Sequence, residues 1–111
     1  KNYNKMAIRT GVDIVLSKRF EKLIKNPDFL KKVYHASELA DKSKIVGIFS
    51  LKEAIMKSLG KKIDWKEICI KHDKNGKPII LLADKYSFLH IDGSISHDGD
   101  YTIAFVILSK K

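Results

Sequence analysis

Two hydrophobic spacings divide the chain: up to Gly60 the apolar residues mostly recur three and four apart, and beyond Trp65 they alternate. The exception is the opening run at residues 7–16, AIRTGVDIVL, whose β-branched and apolar content predicts a buried strand. Gly11 interrupts it, and it carries one acid, Asp13. Residues 17–25 predict a short helix with Phe20, Leu23 and Ile24 on one face and Lys18, Arg19, Lys22 and Lys25 on the other. Asn26 and Pro27 end it. DFLKKVY, from Asp28, predicts a further turn or two. Ser37 is then positioned as a cap for a helix over residues 37–59, broken near Ser43 and stopped by Gly60.

The second half has the period of strands. KEICIKH and KPIILL flank DKNG, whose Asn75-Gly76 pair signals a tight turn, so a hairpin is expected there. HIDGSIS and YTIAFVIL, joined by HDGD, predict a second hairpin with a buried final strand. A strand, then helices, then several strands indicates the α+β class: an antiparallel sheet packed with one long helix and shorter ones. The 111 residues suit a single domain, 1–111, with residues 1–6 as an N-terminal tail.

Composition narrows the classes. With 44% hydrophobic and 32% charged residues, and no apolar run long enough to cross a bilayer or to form an export signal, a cytoplasmic protein with no membrane span is expected. The lone Cys69, inside an alternating strand, reads as a packed apolar residue and excludes a disulfide framework. The net charge of +9 calls for an acidic partner. Only Arg9 and Arg19 among the 22 basic residues are arginine, and the lysines are dispersed among aliphatic strands. A small basic nucleic-acid-binding module is therefore the weaker alternative, because such readers use arginine forks and stacked aromatics; no nucleic acid is expected as partner.

Three polar positions call for explanation. In the helix over residues 49–59, Leu51, Ile55 and Leu59 continue a stripe from Ile48, with Glu53 nearly opposite and Lys57 one turn further on. An exposed Glu53–Lys57 pair would contribute only about 0.3–0.5 kcal/mol; the flanking Phe49 and Met56 favour an enclosed carboxylate instead. Asp13 presents the same problem on a strand, where it faces solvent, meets a lysine or binds a cation. Two such carboxylates would suit Mg²⁺, which favours a few protein oxygens together with phosphate and water. His97, in SISHDGD, is placed to hold a phosphate, act as a base or cap the turn.

Taken in order, GVDIV with Arg19-Phe20 downstream, FSLKEAIMKSLG, GKPIIL and SISHDGDYTIAFVI resemble the holo-acyl-carrier-protein synthases, the small class of 4′-phosphopantetheinyl transferases. The resemblance implies transfer of the 4′-phosphopantetheine arm of coenzyme A to a serine of apo-acyl carrier protein, releasing adenosine 3′,5′-bisphosphate, with Mg²⁺ required. It implies that Asp13 and Glu53 are the metal ligands and, with Lys57, the catalytic group. Lys57, Gly60, Lys61, Ser96 and His97 would contact coenzyme A, and Arg19, Lys22 and Phe29 the acidic carrier. It also implies a homotrimer with each site at a subunit interface. Three departures stand out: Val15 replaces the third carboxylate of larger members, GKK replaces the usual GTG after the helix, and the stretch between Glu38 and Phe49 is short.

Overall fold

A computed structural model describes residues 7–111, so the expected tail at residues 1–6 lies outside the described residues. Strand β1 (Ile8–Leu16) runs into helix α1 (Ser17–Leu23), followed by α2 (Pro27–Val33), 3₁₀ turns at Ala36–Leu39 and Lys42–Lys44, and α3 (Ile45–Leu59). Strands β2 (Ile68–His72), β3 (Pro78–Leu82), β4 (Leu89–Asp98) and β5 (Tyr101–Lys110) follow. β1, β5 and β4 form an antiparallel sheet with β5 in the middle, and β2 and β3 pair as a separate hairpin. The α+β expectation holds.

Helix α3 is the axis of the fold. Its predicted stripe, Ile48, Leu51, Ile55 and Leu59, is almost wholly buried together with Ala54. Each such aliphatic side chain contributes roughly 1.5–3 kcal/mol. Gly60 ends the helix as expected: it adopts φ 74° and its N–H donates to the carbonyls of Met56 and Lys57 at 3.0 and 3.1 Å. Gly11 explains how the first strand reaches this helix. A β-carbon at Gly11 would lie 2.0 Å from the Ala54 carbonyl oxygen, so only glycine lets β1 cross α3 at backbone contact. That crossing sets Asp13, two residues later, against the helix.

Several expectations change. Asn26 does not simply end α1; its Oδ1 accepts from the N–H groups of Asp28 and Phe29, at 2.9 and 3.3 Å, and so starts α2 one residue early with Pro27 in its first turn. Residues 37–44 are two short turns rather than helix, capped by His35 and Asp41 instead of Ser37. The cause is Glu38, which is buried and accepts from the His35 and Ile70 N–H groups at 2.7 Å each. The DKNG turn is organised by Asp73, whose Oδ1 accepts from Asn75 and Lys77 N–H, while Gly76 takes φ 85°. Nor are β1 and β5 buried on both faces. Ile8, Val12, Ile14, Ile103, Phe105 and Ile107 are all exposed, because α3 covers only one side of the sheet.

Candidate active site

Ser50, Glu53 and Lys57 share one face of α3, the face that β1 crosses at Gly11. Asp13 points inward from β1, between the buried Gly11 and Val15, and meets this face directly. Lys57 Nζ lies 3.2 Å from Asp13 Oδ1 and donates to the Val12 carbonyl at 3.0 Å. The fully buried Ser50 places its hydroxyl 3.2 Å from Asp13 Oδ2 and 3.3 Å from the Asp13 carbonyl. Asp13 is thus held from two sides. The sequence carried a signal for Ser50, since it lies one turn before Glu53 on the same helical face.

Glu53 is half-buried. Burial raises its carboxyl above the usual carboxylate range, and the Asp13 charge adds to that, against the opposing pull of Lys62 and Lys57. The two carboxylates therefore feel each other across the helix–strand contact. Among the described residues no third histidine, cysteine or acid joins them. A divalent cation that uses two protein carboxylates plus phosphate oxygens fits this donor set, and it would relieve the cost that Asp13 imposes on ionised Glu53. Asp13 and Glu53 are the residues that would hold such a cation.

Two clefts meet at Glu53. One, of about 220 Å³, is lined by Asp13, Leu16, Arg19, Phe20, Phe49 and Glu53. The other, of about 230 Å³, is lined by Glu53, Met56, Lys57, Gly60, Lys61 and Lys62. Six of the residues expected to act are thereby gathered: Asp13, Arg19, Glu53, Lys57, Gly60 and Lys61. Lys22 lies exposed in the last turn of α1. Phe29 is half-buried, its ring 6.3 Å from Phe20 and 5.7 Å from Phe49, so much of it serves internal packing. Ser96 and His97 line neither cleft. They sit on β4, two strands from β1, and strand alternation sends their side chains to opposite faces. His97 Nδ1 lies 2.8 Å from the Thr102 hydroxyl, near the start of α3 at Gly47.

One polar group had no sequence signal. Lys52, beside Glu53, is fully buried; its Nζ lies 2.8 Å from Glu38 Oε1 and donates to the Val33 carbonyl at 2.7 Å. Its ammonium is desolvated, which lowers its pKa, and Glu38 opposes the shift. This pair ties α3 to the turn at Ala36–Leu39 and, through Glu38, to β2.

This arrangement can be set beside known proteins. The family model for the 4′-phosphopantetheinyl transferase superfamily matches residues 9–106, nearly the whole chain. The chain belongs to this superfamily. Within the superfamily it is similar to the holo-[acyl-carrier-protein] synthase of Finegoldia magna, 39% identical over 93% of this chain and 97% of that protein. The Geobacillus synthase is 37% identical over 95% of this chain and 98% of its own. Among solved structures, the Helicobacter pylori synthase in complex with coenzyme A is 33% identical, covers 90% of this chain and 99% of that one, and superimposes with a TM-score of 0.82.

Proposed function

We propose that this transferase moves the 4′-phosphopantetheine arm of coenzyme A onto a serine hydroxyl of apo-acyl carrier protein in support of fatty acid biosynthesis, with Mg²⁺ held by Asp13 and Glu53. The observation that carries it is the meeting of these two carboxylates between a lysine-lined cleft and a cleft bordered by Arg19. Phosphate belongs in the lysine cleft. The acidic carrier approaches over the other, where Arg19, Lys18 and Lys22 of α1 supply charge complementarity.

In the reaction the serine oxygen forms a bond to the phosphorus that bears the pantetheine. The bond from that phosphorus to the bridging oxygen breaks, and adenosine 3′,5′-bisphosphate leaves with the electron pair. When bound, Mg²⁺ supplies charge neutralisation for the diphosphate and for the leaving phosphate. Lys57 turns from Asp13 to a phosphate oxygen, a charge-assisted contact. The serine proton passes to the ionised carboxylate of Glu53, directly or through water, and burial raises the basicity of that group.

The exposed apolar face of the sheet supports a homotrimer. Val12 and Ile14 of β1 lie beside Phe105 and Ile103 of β5, all four more than 40% exposed. A continuous apolar face of this kind is expected to be covered by other copies of the chain. Ser96 shares that face, next to Ile103. In such an assembly Ser96 and His97 contact the coenzyme A bound at a neighbour's Asp13 and Glu53, which accounts for their distance from both clefts within one chain. Among the described residues no helix is long and apolar enough to cross a membrane, and a cytoplasmic location fits the chemistry.

The test is the mass of the carrier. Incubation with coenzyme A, Mg²⁺ and apo-acyl carrier protein should add one phosphopantetheine arm; an unchanged carrier mass would count against the transferase.

A further inference from the structure

The lysine cleft lies at the C-terminal end of α3, an end unfavourable to phosphate because the helix carries about half a negative charge there. Anion binding at this place must come from side chains. The Gly60 turn provides them: Gly60 and Lys61 N–H groups cover the last helix carbonyls, and the chain then presents Lys61 and Lys62 to the cleft beside Lys57 and Glu53. These three lysines have different commitments. Lys57 is drawn to β1, paired with Asp13 at 3.2 Å and bonded to the Val12 carbonyl. Lys61 rests its ammonium 5.6 Å above the ring of the buried Tyr86, a cation–π contact that restricts where it points. Lys62 is exposed, and it is the lysine whose charge acts more strongly on Glu53.

We propose that Lys62, with Lys61 beside it, grips the diphosphate of coenzyme A without the help of a metal, making Lys62 a substrate-binding residue of this chain. The inference rests on the transferase reading of the cleft. In the ligand-free protein Asp13 pairs with Lys57, while Lys62 lines the same cleft as Glu53 and its charge only partly offsets the burial and the Asp13 charge that Glu53 feels. When the diphosphate enters this cleft, the exposed Lys62 ammonium takes its phosphate oxygens. Its flexible stem and three donors suit that contact. The diphosphate is therefore captured before the metal is required.

Calorimetric titration in EDTA separates this grip from metal binding. Coenzyme A and dephospho-coenzyme A, which lacks the 3′-phosphate, are titrated into the wild type, Lys62→Gln and the charge-matched control Lys32→Gln. The control removes an exposed lysine on α2. The wild type should bind both ligands without metal, and Lys62→Gln should weaken both by about tenfold, as expected for losing one charge-assisted contact. Lys32→Gln should bind like the wild type. No metal-free binding by the wild type, no loss in Lys62→Gln, or equal losses in both variants would overturn the proposal. A loss confined to coenzyme A would also overturn it, by assigning Lys62 to the 3′-phosphate. Carrier mass, measured on the same wild-type preparation, shows separately whether the transferase reading stands.

Discussion

Lys57 reaches back along α3 to pair with Asp13 of β1, Nζ to Oδ1 at 3.2 Å, rather than with Glu53 on its own helix. The lysine one turn after Glu53 is thus the counter-ion of the other carboxylate. Lys57→Ala should leave the fold intact, since the lysine is exposed, while removing a phosphate contact. Its kcat/KM for coenzyme A should fall on the order of a hundredfold, comparable to losing one transition-state donor. An unchanged kcat/KM would mean that Lys57 only balances Asp13.

Glu53 makes the metal-free protein pH-sensitive in a defined direction. Burial and Asp13 raise its pKa in the folded state, so its contribution to stability is present in acid and is lost as pH rises through that raised value. At neutral pH the ionised Glu53 therefore destabilises the empty site. Glu53→Gln should melt above the wild type at pH 7 in EDTA, and the difference should shrink as the pH falls below the usual carboxylate range. Thermal unfolding across pH 4–8 checks the sign, and a variant that melts lower at pH 7 would contradict it.

Gly11 is required by contact. In Gly11→Ala the new methyl would fall on the Ala54 carbonyl, a backbone atom that cannot swing aside. Loss of about 3 kcal/mol or more is expected by denaturant unfolding, and Asp13 would be pushed from Ser50. Unaltered stability would show that β1 approaches α3 less closely.

The proposed sharing of each site between two chains predicts complementation between inactive chains. Glu53→Ala and His97→Ala homo-oligomers should each transfer poorly, whereas co-refolded mixtures should regain part of the activity, because some interfaces combine an intact Glu53 with an intact His97. Phe105→Asp should disperse the assembly in sedimentation, with activity falling in parallel. Mixtures no more active than their parents would place both residues in one chain's site.

Much of the fold could be read in advance because its signals are local. The α3 stripe, the Gly60 stop and both hairpins depend on spacings within a few residues. Asp13 and Glu53 could be singled out because each is an acid in an apolar setting. Lys52 and Glu38 could not. They meet across the fold, 14 residues apart in sequence, and lysine gives no local hint that it will be fully buried. The outer faces of β1 and β5 misled for a related reason. Both parities of β5 are apolar, and β1 adds Ile8, Val12 and Ile14 on its outward side, which reads as burial on two sides, although α3 covers only one. No local signal places Ser96 and His97 outside both clefts of their own chain; only the family resemblance, with its sites at subunit interfaces, points that way.

Substitution tests most directly whether Asp13 and Glu53 together hold the Mg²⁺ proposed for the transfer. Asp13→Ala and Glu53→Ala, each confirmed as folded by circular dichroism, are incubated with coenzyme A, Mg²⁺ and apo-acyl carrier protein, and the carrier is weighed. The wild type should add one phosphopantetheine arm, and neither variant should add a measurable fraction. Full conversion of the carrier by either folded variant would contradict this metal assignment.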